Sequence, residues 1–161
     1  MAEYAVSIRS WQQGDAVALA AAWNDPAVAA GSQPPEDRSV GAAERWITGC
    51  AEREQRLLAI DRVIDVAGEC VGEVGASSID HRRGAALLGW WVAADHRGRG
   101  HGTAGVTLMC DLLFSEFDLR AVVAEIAPDN HASIRLAATL GFECVREAAA
   151  DSPAAYVIRR V

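Results

Sequence analysis

A glycine-rich turn is the part of this chain whose residue types and spacing point most directly to chemistry. It reads Arg97-Gly98-Arg99-Gly100-His101-Gly102, follows an apolar strand that ends at Val92, and opens a predicted helix over residues 102–117. Glycines let backbone N–H groups converge without a Cβ atom in the way. The first turn of a helix leaves its N–H donors unpaired beside a partial positive charge. The turn is therefore predicted to bind a pyrophosphate, assisted by its two arginines.

Other interpretations of this turn fit less well. A flexible turn that binds no ligand remains an alternative interpretation, because a glycine-rich loop alone is a weak signal. The Gly-Lys-Ser/Thr ending of a nucleotide-triphosphate loop is missing. Gly100-x-Gly102-x-x-Gly105 matches the dinucleotide-fold letters, with Asp129 downstream, but the preceding strand closes a run of hairpins instead of opening a βαβ unit. The net charge of -7 and the lack of interleaved aromatic residues disfavour an RGG-type RNA contact.

The elements that must position this turn follow from apolar periodicity and turn residues. Strands are predicted over Ala5–Arg9, Arg56–Val66, Cys70–Ser77, Ala85–Val92, Ala121–Ile126, Phe142–Arg146 and Ala155–Arg160. Helices are predicted over Asp15–Trp23, Ala42–Arg53, Gly102–Phe117 and Ala132–Leu140, and a surface loop over Gly31–Ser39. The order β-α-α-β-β-β-α-β-α-β-β predicts a mixed sheet with helices packed on it, of the α/β or α+β class, in one domain over residues 1–161.

Bulk composition limits the class of protein. The chain has 161 residues, 51% of them hydrophobic, which suits one domain with a sizeable core. No apolar run approaches the ~18 residues of a membrane span, and the N-terminus shows no signal peptide, so a cytoplasmic protein without a membrane partner is expected. The net charge argues against a nucleic-acid partner and is compatible with a cationic amine substrate. The four cysteines and four histidines are scattered without zinc-ligand spacing, so no metal is expected.

A second segment decides between these interpretations. The strand over 121–126 is followed by Asn130-x-x-Ser133 at the start of a helix, and then by Gly141-Phe142. Together the two segments resemble the GNAT superfamily of N-acetyltransferases, and within it the RimJ/RimL-like branch of ribosomal-protein N-terminal acetyltransferases. Arg97-x-x-Gly100-x-Gly102 matches the superfamily's Gln/Arg-x-x-Gly-x-Gly/Ala signature for the CoA pyrophosphate, and the second segment matches the signature of that branch. Weaker similarity extends through most of the chain, including Gly89-Trp90-Trp91-Val92.

The resemblance implies a fold and a binding site for acetyl-CoA. The expected fold is a mixed, mostly antiparallel sheet with helices on both faces, whose central strands over 85–92 and 121–126 splay apart into a V. The pantetheine arm would lie between these strands and hydrogen-bond main-chain groups near Trp91 and Val92 like an added strand, and Asn130 would contact the pantetheine or acetyl region. The expected cofactor-binding residues are Trp91, Val92, Arg97, Gly98, Arg99, Gly100, His101, Gly102, Thr103, Asn130 and Ser133.

Catalysis by direct transfer needs a neutral amine near the thioester carbon and a proton for the leaving thiolate. Many members of the superfamily supply that proton from a tyrosine seven residues after the Asn position, which here is Ala137. The resemblance to the RimL-like branch therefore makes Ser133 the candidate acid, although capping of its helix is an equal alternative.

The general base is less clear from the sequence. Many relatives carry a glutamate two residues before the Gly of the strand that enters the turn, and here that residue is Leu87. Glu73 and Glu125 are the remaining carboxylates at strand positions that could face the cleft, and a solvent-facing position is the alternative for each. An α-amine, whose pKa is about 8, is partly neutral at pH 7 and so depends less on a base than a lysine side chain of pKa about 10.4 does.

The sequence thus predicts an acetyl-CoA-dependent N-acetyltransferase. It would transfer acetyl to a primary amine, on a protein N-terminus or a small molecule, by direct attack on the thioester. The alternative, suggested by Ala137 and Leu87, is a catalytically inactive acyl-CoA-binding protein of the same fold. A homodimer is compatible with either function.

Overall fold

One seven-stranded sheet organises the computed structural model, which describes residues 5–161. Its strands are β1 (Val6–Arg9), β2 (Ala59–Val66), β3 (Glu69–Asp80), β4 (Ala85–Val92), β5 (Ala121–Ile126), β6 (Glu143–Arg146) and β7 (Ala154–Arg159). They lie in the order β1-β2-β3-β4-β5-β7-β6, and every neighbouring pair is antiparallel except β4 and β5. The prediction of a mixed, mostly antiparallel sheet is confirmed.

The helices differ from the predicted set at two places. They are α1 (Ala16–Asn24), α2 (Pro26–Ser32), α3 (Val40–Thr48), α4 (Cys50–Gln55), α5 (His101–Ser115) and α6 (His131–Thr139). The single helix predicted over 42–53 is two helices, because Gly49 ends α3 and caps the start of α4. Helix α2 is an addition: the Asp25 side chain accepts a hydrogen bond from the Ala27 N–H (2.9 Å) and Pro26 takes the first helical position, so this proline begins a helix.

Helices cover both faces of the sheet, as predicted. Helix α5 crosses the β1–β4 half of one face and shares an apolar core with β5 and α6. On the other face, helices α1–α3 bury a cluster in which Trp11 and Trp23 each meet Trp46 edge to face, with ring centroids 5.7 and 6.4 Å apart. Within residues 5–161, no helix has the length and apolar character needed to cross a membrane.

The two central strands part in the middle of the sheet. They pair only where Ala85–Leu87 of β4 face Ala121–Val123 of β5. Beyond these residues β4 stays paired with β3 as far as Val92, and β5 stays paired with β7 as far as Ile126. The predicted V-shaped gap therefore opens toward the carboxyl ends of both strands, the edge of the sheet at which α5 and α6 begin.

Candidate active site

The glycine turn (Arg97–Gly102) leaves open space and unpaired donors at the head of α5. Gly98 and Gly100 have φ angles of 73° and 81°, where glycine is favoured, and a Cβ atom at either would have no neighbour within 4 Å. Helix α5 begins at His101, and no side chain caps this end. Its first N–H groups therefore lack intrahelical partners and can bind an anion.

Two residues of the glycine turn are packed against the protein. Gly102 is buried, and a Cβ atom there would lie 3.1 Å from Leu136 Cδ1 and 3.4 Å from Val92 Cγ2. This glycine lets α5 lie close to α6, so its Cα is not part of the open space. His101 Nδ1 is buried without a hydrogen-bond partner among the described residues, and burial lowers the pKa of the imidazole. An orphaned buried polar atom here fits a site that a ligand completes.

The two arginines of the glycine turn are held differently. The Arg97 Nε–H donates to the Val92 carbonyl (2.9 Å), and its Nη2 pairs with the Asp25 carboxylate (2.5 Å). Arg97 thus ties the turn to the end of β4 and to the start of α2. Arg99 is exposed and makes no ion pair within residues 5–161. Arg99 is therefore the side chain better placed to meet a phosphate.

The head of α6 differs from that of α5 because it is capped. Asn130 Oδ1 accepts a hydrogen bond from the Ser133 N–H (3.1 Å). Asn130 is therefore the cap, and the alternative role of Ser133 as the capping residue is wrong. Ser133 lies half-buried in the first turn, and its hydroxyl is not needed to begin the helix. Ala137, where relatives carry tyrosine, is fully buried in the apolar core.

Glu73 lies on the opposite face of the sheet from α5. It pairs across the strands with Trp91, whose indole N–H donates to Glu73 Oε2 (2.7 Å). Trp91 belongs to the cluster under α1–α3, whereas Trp90 packs on the α5 side, as strand alternation predicts. Burial, reinforced by the nearby charge of Asp61, raises the pKa of the Glu73 carboxyl to about 8, against the opposing effects of the Trp91 hydrogen bond and Arg53.

Glu125, the other predicted carboxylate, has different surroundings. It is exposed on β5 and forms an ion pair with Arg146 (2.7 Å). Leu87, where many relatives carry a glutamate, lies on β4 on the same face as Trp91. On this face the structure therefore presents a half-buried carboxylate from β3 rather than one from β4.

A second carboxylate, Asp61, approaches Glu73 across a glycine. A Cβ atom on Gly75 would lie 2.9 Å from Asp61 Oδ1 and 3.6 Å from Glu73 Oε1. Gly75 pairs with Gly89, which is exposed and has no atom within 4 Å of its Cβ position. Open space at Gly89 therefore borders the point over Gly75 at which the two carboxylates approach each other. We call this group of residues the Glu73 pocket, and it comprises Glu73, Asp61, Arg53, Gly75 and Trp91.

Arg53 of α4 closes one side of the Glu73 pocket. Its Nη2 lies 3.4 Å from Asp61 Oδ2, and its guanidinium stacks 4.4 Å from the ring centroid of Trp46. Asp61 and Arg53 are absent from the sequence-predicted site. The available signal was alternation along β2, which places Asp61 on the same inward face as buried Val63.

The described residues fit acetyl-CoA better than a metal ion. No three His, Cys, Asp or Glu side chains in the described part of the chain converge in a metal-binding arrangement. The gap between β4 and β5, the open space at Gly98 and Gly100 and the uncapped head of α5 match an extended arm that ends in a diphosphate.

A family comparison identifies the class of protein. A model of the acetyltransferase (GNAT) domain matches residues 6–143. The chain therefore belongs to the GNAT family of acetyltransferases, which confirms the resemblance and the predicted enzyme class, an N-acetyltransferase.

Individual relatives agree with this assignment. The uncharacterized N-acetyltransferase p20 of Bacillus licheniformis is 25% identical over 140 residues, which cover 86% of this chain and 79% of p20. The structure of Mycobacterium smegmatis RimJ in complex with CoA-disulfide matches this chain with a TM-score of 0.82 at 23% identity. The match covers 96% of this chain and 81% of the RimJ chain. The ribosomal-protein-S5-alanine acetyltransferase of Vibrio fischeri has a TM-score of 0.81 at 20% identity, with coverages of 97% and 92%.

Proposed function

We propose that this protein transfers the acetyl group of acetyl-CoA to a primary amine by direct attack of the amine on the thioester. The observation that carries the proposal is the parting of β4 and β5 at the edge where the glycine turn begins α5. The unpaired main-chain edges of both strands suit an extended pantetheine arm. Acetyl-CoA, when bound, supplies an activated carbonyl carbon for the amine and a thiolate that leaves.

The glycine turn holds the diphosphate in this proposal. The N–H groups at the head of α5 and the side chain of Arg99 bind the anion. Arg97 holds the turn against β4 and α2. The Val92 carbonyl accepts a hydrogen bond from the Arg97 Nε–H, and its second lone pair can accept one from the pantetheine arm.

Glu73 is the proposed general base. Trp91 holds Oε2, so Oε1 is left to accept the proton that the amine loses as its nitrogen bonds to the acetyl carbon. The acceptor enters through the Glu73 pocket, on the face opposite α5. The C–S bond then breaks, the Ser133 hydroxyl donates a proton to the thiolate, and solvent returns a proton to Ser133 as Glu73 releases the one that it took from the amine. A carboxyl with a pKa of about 8 is well matched to proton transfer near neutral pH.

The acceptor favoured by this chemistry is an N-terminal α-amine. Proton transfer from an α-ammonium group, of pKa about 8, to Glu73 is nearly balanced, whereas transfer from a lysine-type ammonium of pKa about 10.4 is uphill. The name of the structural neighbour that acetylates a ribosomal-protein alanine supports the same choice.

The proposal is tested with a panel of acceptors. Free thiol released from acetyl-CoA is measured with peptides bearing free α-amines, with the same peptides blocked at the N-terminus, and with alkyl monoamines and diamines. We expect release that depends on a free amine and is fastest with unblocked peptides. Tight acetyl-CoA binding without release by any acceptor would support the inactive binding protein instead.

A further inference from the structure

The neighbours of Glu73 suggest a role that follows from the proposed function and depends on it. We propose that Asp61 and Arg53 are opposed positioning residues that control when Glu73 holds its proton. Asp61 favours the protonated carboxyl, and Arg53 favours the carboxylate. Neither residue needs to touch the acetyl group.

Asp61 is placed to act on Glu73 through space. Its Oδ1 and Glu73 Oε1 both lie within 4 Å of the point that a Cβ atom on Gly75 would occupy. The Asp61 side chain is only 11% exposed, so water screens its charge weakly. A like charge this close disfavours ionisation of Glu73.

Arg53 is held near both carboxylates by contacts in addition to its ion pair with Asp61. Its Nη2 reaches the Trp46 carbonyl (3.2 Å) and Cys50 Sγ (3.0 Å), while its distance to Asp61 Oδ2 is 3.4 Å. Burial raises the pKa of Asp61, and Arg53 opposes this rise, but at 3.4 Å it leaves the charge of the Asp61 carboxylate incompletely neutralised. The other contacts keep the guanidinium in place when Asp61 is changed.

The remaining groups around Glu73 do not compete with this pair. The indole of Trp91 on β4 is not titratable. Cys50 on α4 and Cys70 on β3 have pKa values raised to about 12 by burial, so both thiols stay neutral near pH 8. Val63, opposite Glu73 on β2, is apolar and buried. Asp61 and Arg53 are thus the charged groups that face Glu73 from the elements packed against it.

The experiment measures the midpoint of Glu73 titration in the full chain by carbon NMR of its carboxyl, without turnover. Asp61→Asn should lower the midpoint and Arg53→Met should raise it, each by roughly one pH unit. Arg53→Lys keeps the positive charge and should return the midpoint toward that of the wild type. Glu52→Gln is the matched control, because it breaks a solvent-exposed ion pair of the same helix, Glu52 with Arg56 at 3.4 Å, that acts on neither Asp61 nor Glu73.

Kinetics separate this inference from the proposed function. The rise of kcat/KM with pH should move with the NMR midpoint in each variant. Midpoints that do not move, or that move in the same direction for Asp61→Asn and Arg53→Met, would overturn the inference. Midpoints that move in opposite directions while Glu73→Gln keeps full activity would instead overturn Glu73 as the base, and with it the catalytic meaning of the pair.

Discussion

The glycine turn follows the end of β4, whereas the Glu73 pocket lies on the face of the sheet opposite α5, and the two are built in opposite ways. The turn offers main-chain N–H groups, open space and an exposed arginine. The pocket offers side chains: two carboxylates, one guanidinium and an indole, brought together from three strands and a helix. A site built from main-chain groups can be recognised in the sequence by the spacing of its glycines. A site made of side chains depends on strand register, which spacing does not reveal.

The largest expected effect is the loss of acetyl-CoA binding when the glycine turn is changed. Gly100→Asp places a carboxylate where the diphosphate is proposed to bind, so acetyl-CoA binding should be lost in calorimetry. Gly141→Asp is a matched control, because Gly141 has the same φ of 81° and equally open surroundings, at the end of α6. The control should bind as the wild type does. Equal affinity in both folded variants would remove the turn from the site.

Gly102→Asp is a poorer test than the signature alone suggests. A side chain there meets Leu136 and Val92, so the variant would bury a carboxylate among apolar groups and lose stability as well as binding. Unlike Gly100→Asp, this variant is therefore not expected to keep its fold.

Ser133→Ala tests the proposed protonation of the leaving thiolate. Because Asn130 caps α6, the variant should keep its melting temperature while kcat falls by roughly 10²-fold, the usual scale for a positioned acid. Thr139→Ala removes a hydroxyl from the same helix and should change neither quantity. A wild-type kcat in Ser133→Ala would assign the proton to another donor.

The smallest expected effect is on stability, and it tests the Glu73 pocket without the glycine turn. Burial raises the pKa of Glu73 from 4.5 to about 8 in the folded protein, so the folded state holds the proton more tightly. This stabilisation is complete below pH 4.5 and is lost as the pH rises toward 8. The melting temperature of Glu73→Gln minus that of the wild type should therefore increase between pH 5 and 8.5. A constant difference would mean that folding does not raise the pKa of Glu73.

The two regions also show how much of the structure could be predicted from the sequence. The bounds of β4 and β5 follow from apolar runs between turn residues and agree with the structure residue by residue. Helix α2 is missing from the prediction because a proline after an apolar helical run indicates the end of that helix, whereas Asp25 caps a new helix in which Pro26 takes the first position. Asp61 could not be assigned, since no motif marks it.

Register explains the remaining gap. The pairing of β2 with β3 shifts between Ile64 and Asp65, and that of β3 with β4 shifts between Ser77 and Asp80. Only the regular ladder between these irregularities brings Asp61, Gly75 and Gly89 into one row. Alternation alone gives the face of each strand but not the neighbour across it.

The most direct test of the account is the pH dependence of kcat/KM at saturating acetyl-CoA for the wild type and Glu73→Gln, with an acceptor whose amine is neutral throughout. Glutamine still accepts the Trp91 hydrogen bond, so the fold should be kept. We expect the wild-type rate to rise with pH to a plateau with a midpoint near 8. The variant should be slower by at least about 10²-fold and lack that rise. A variant as fast as the wild type, or a wild-type rate that falls above pH 8, would contradict Glu73 as the base.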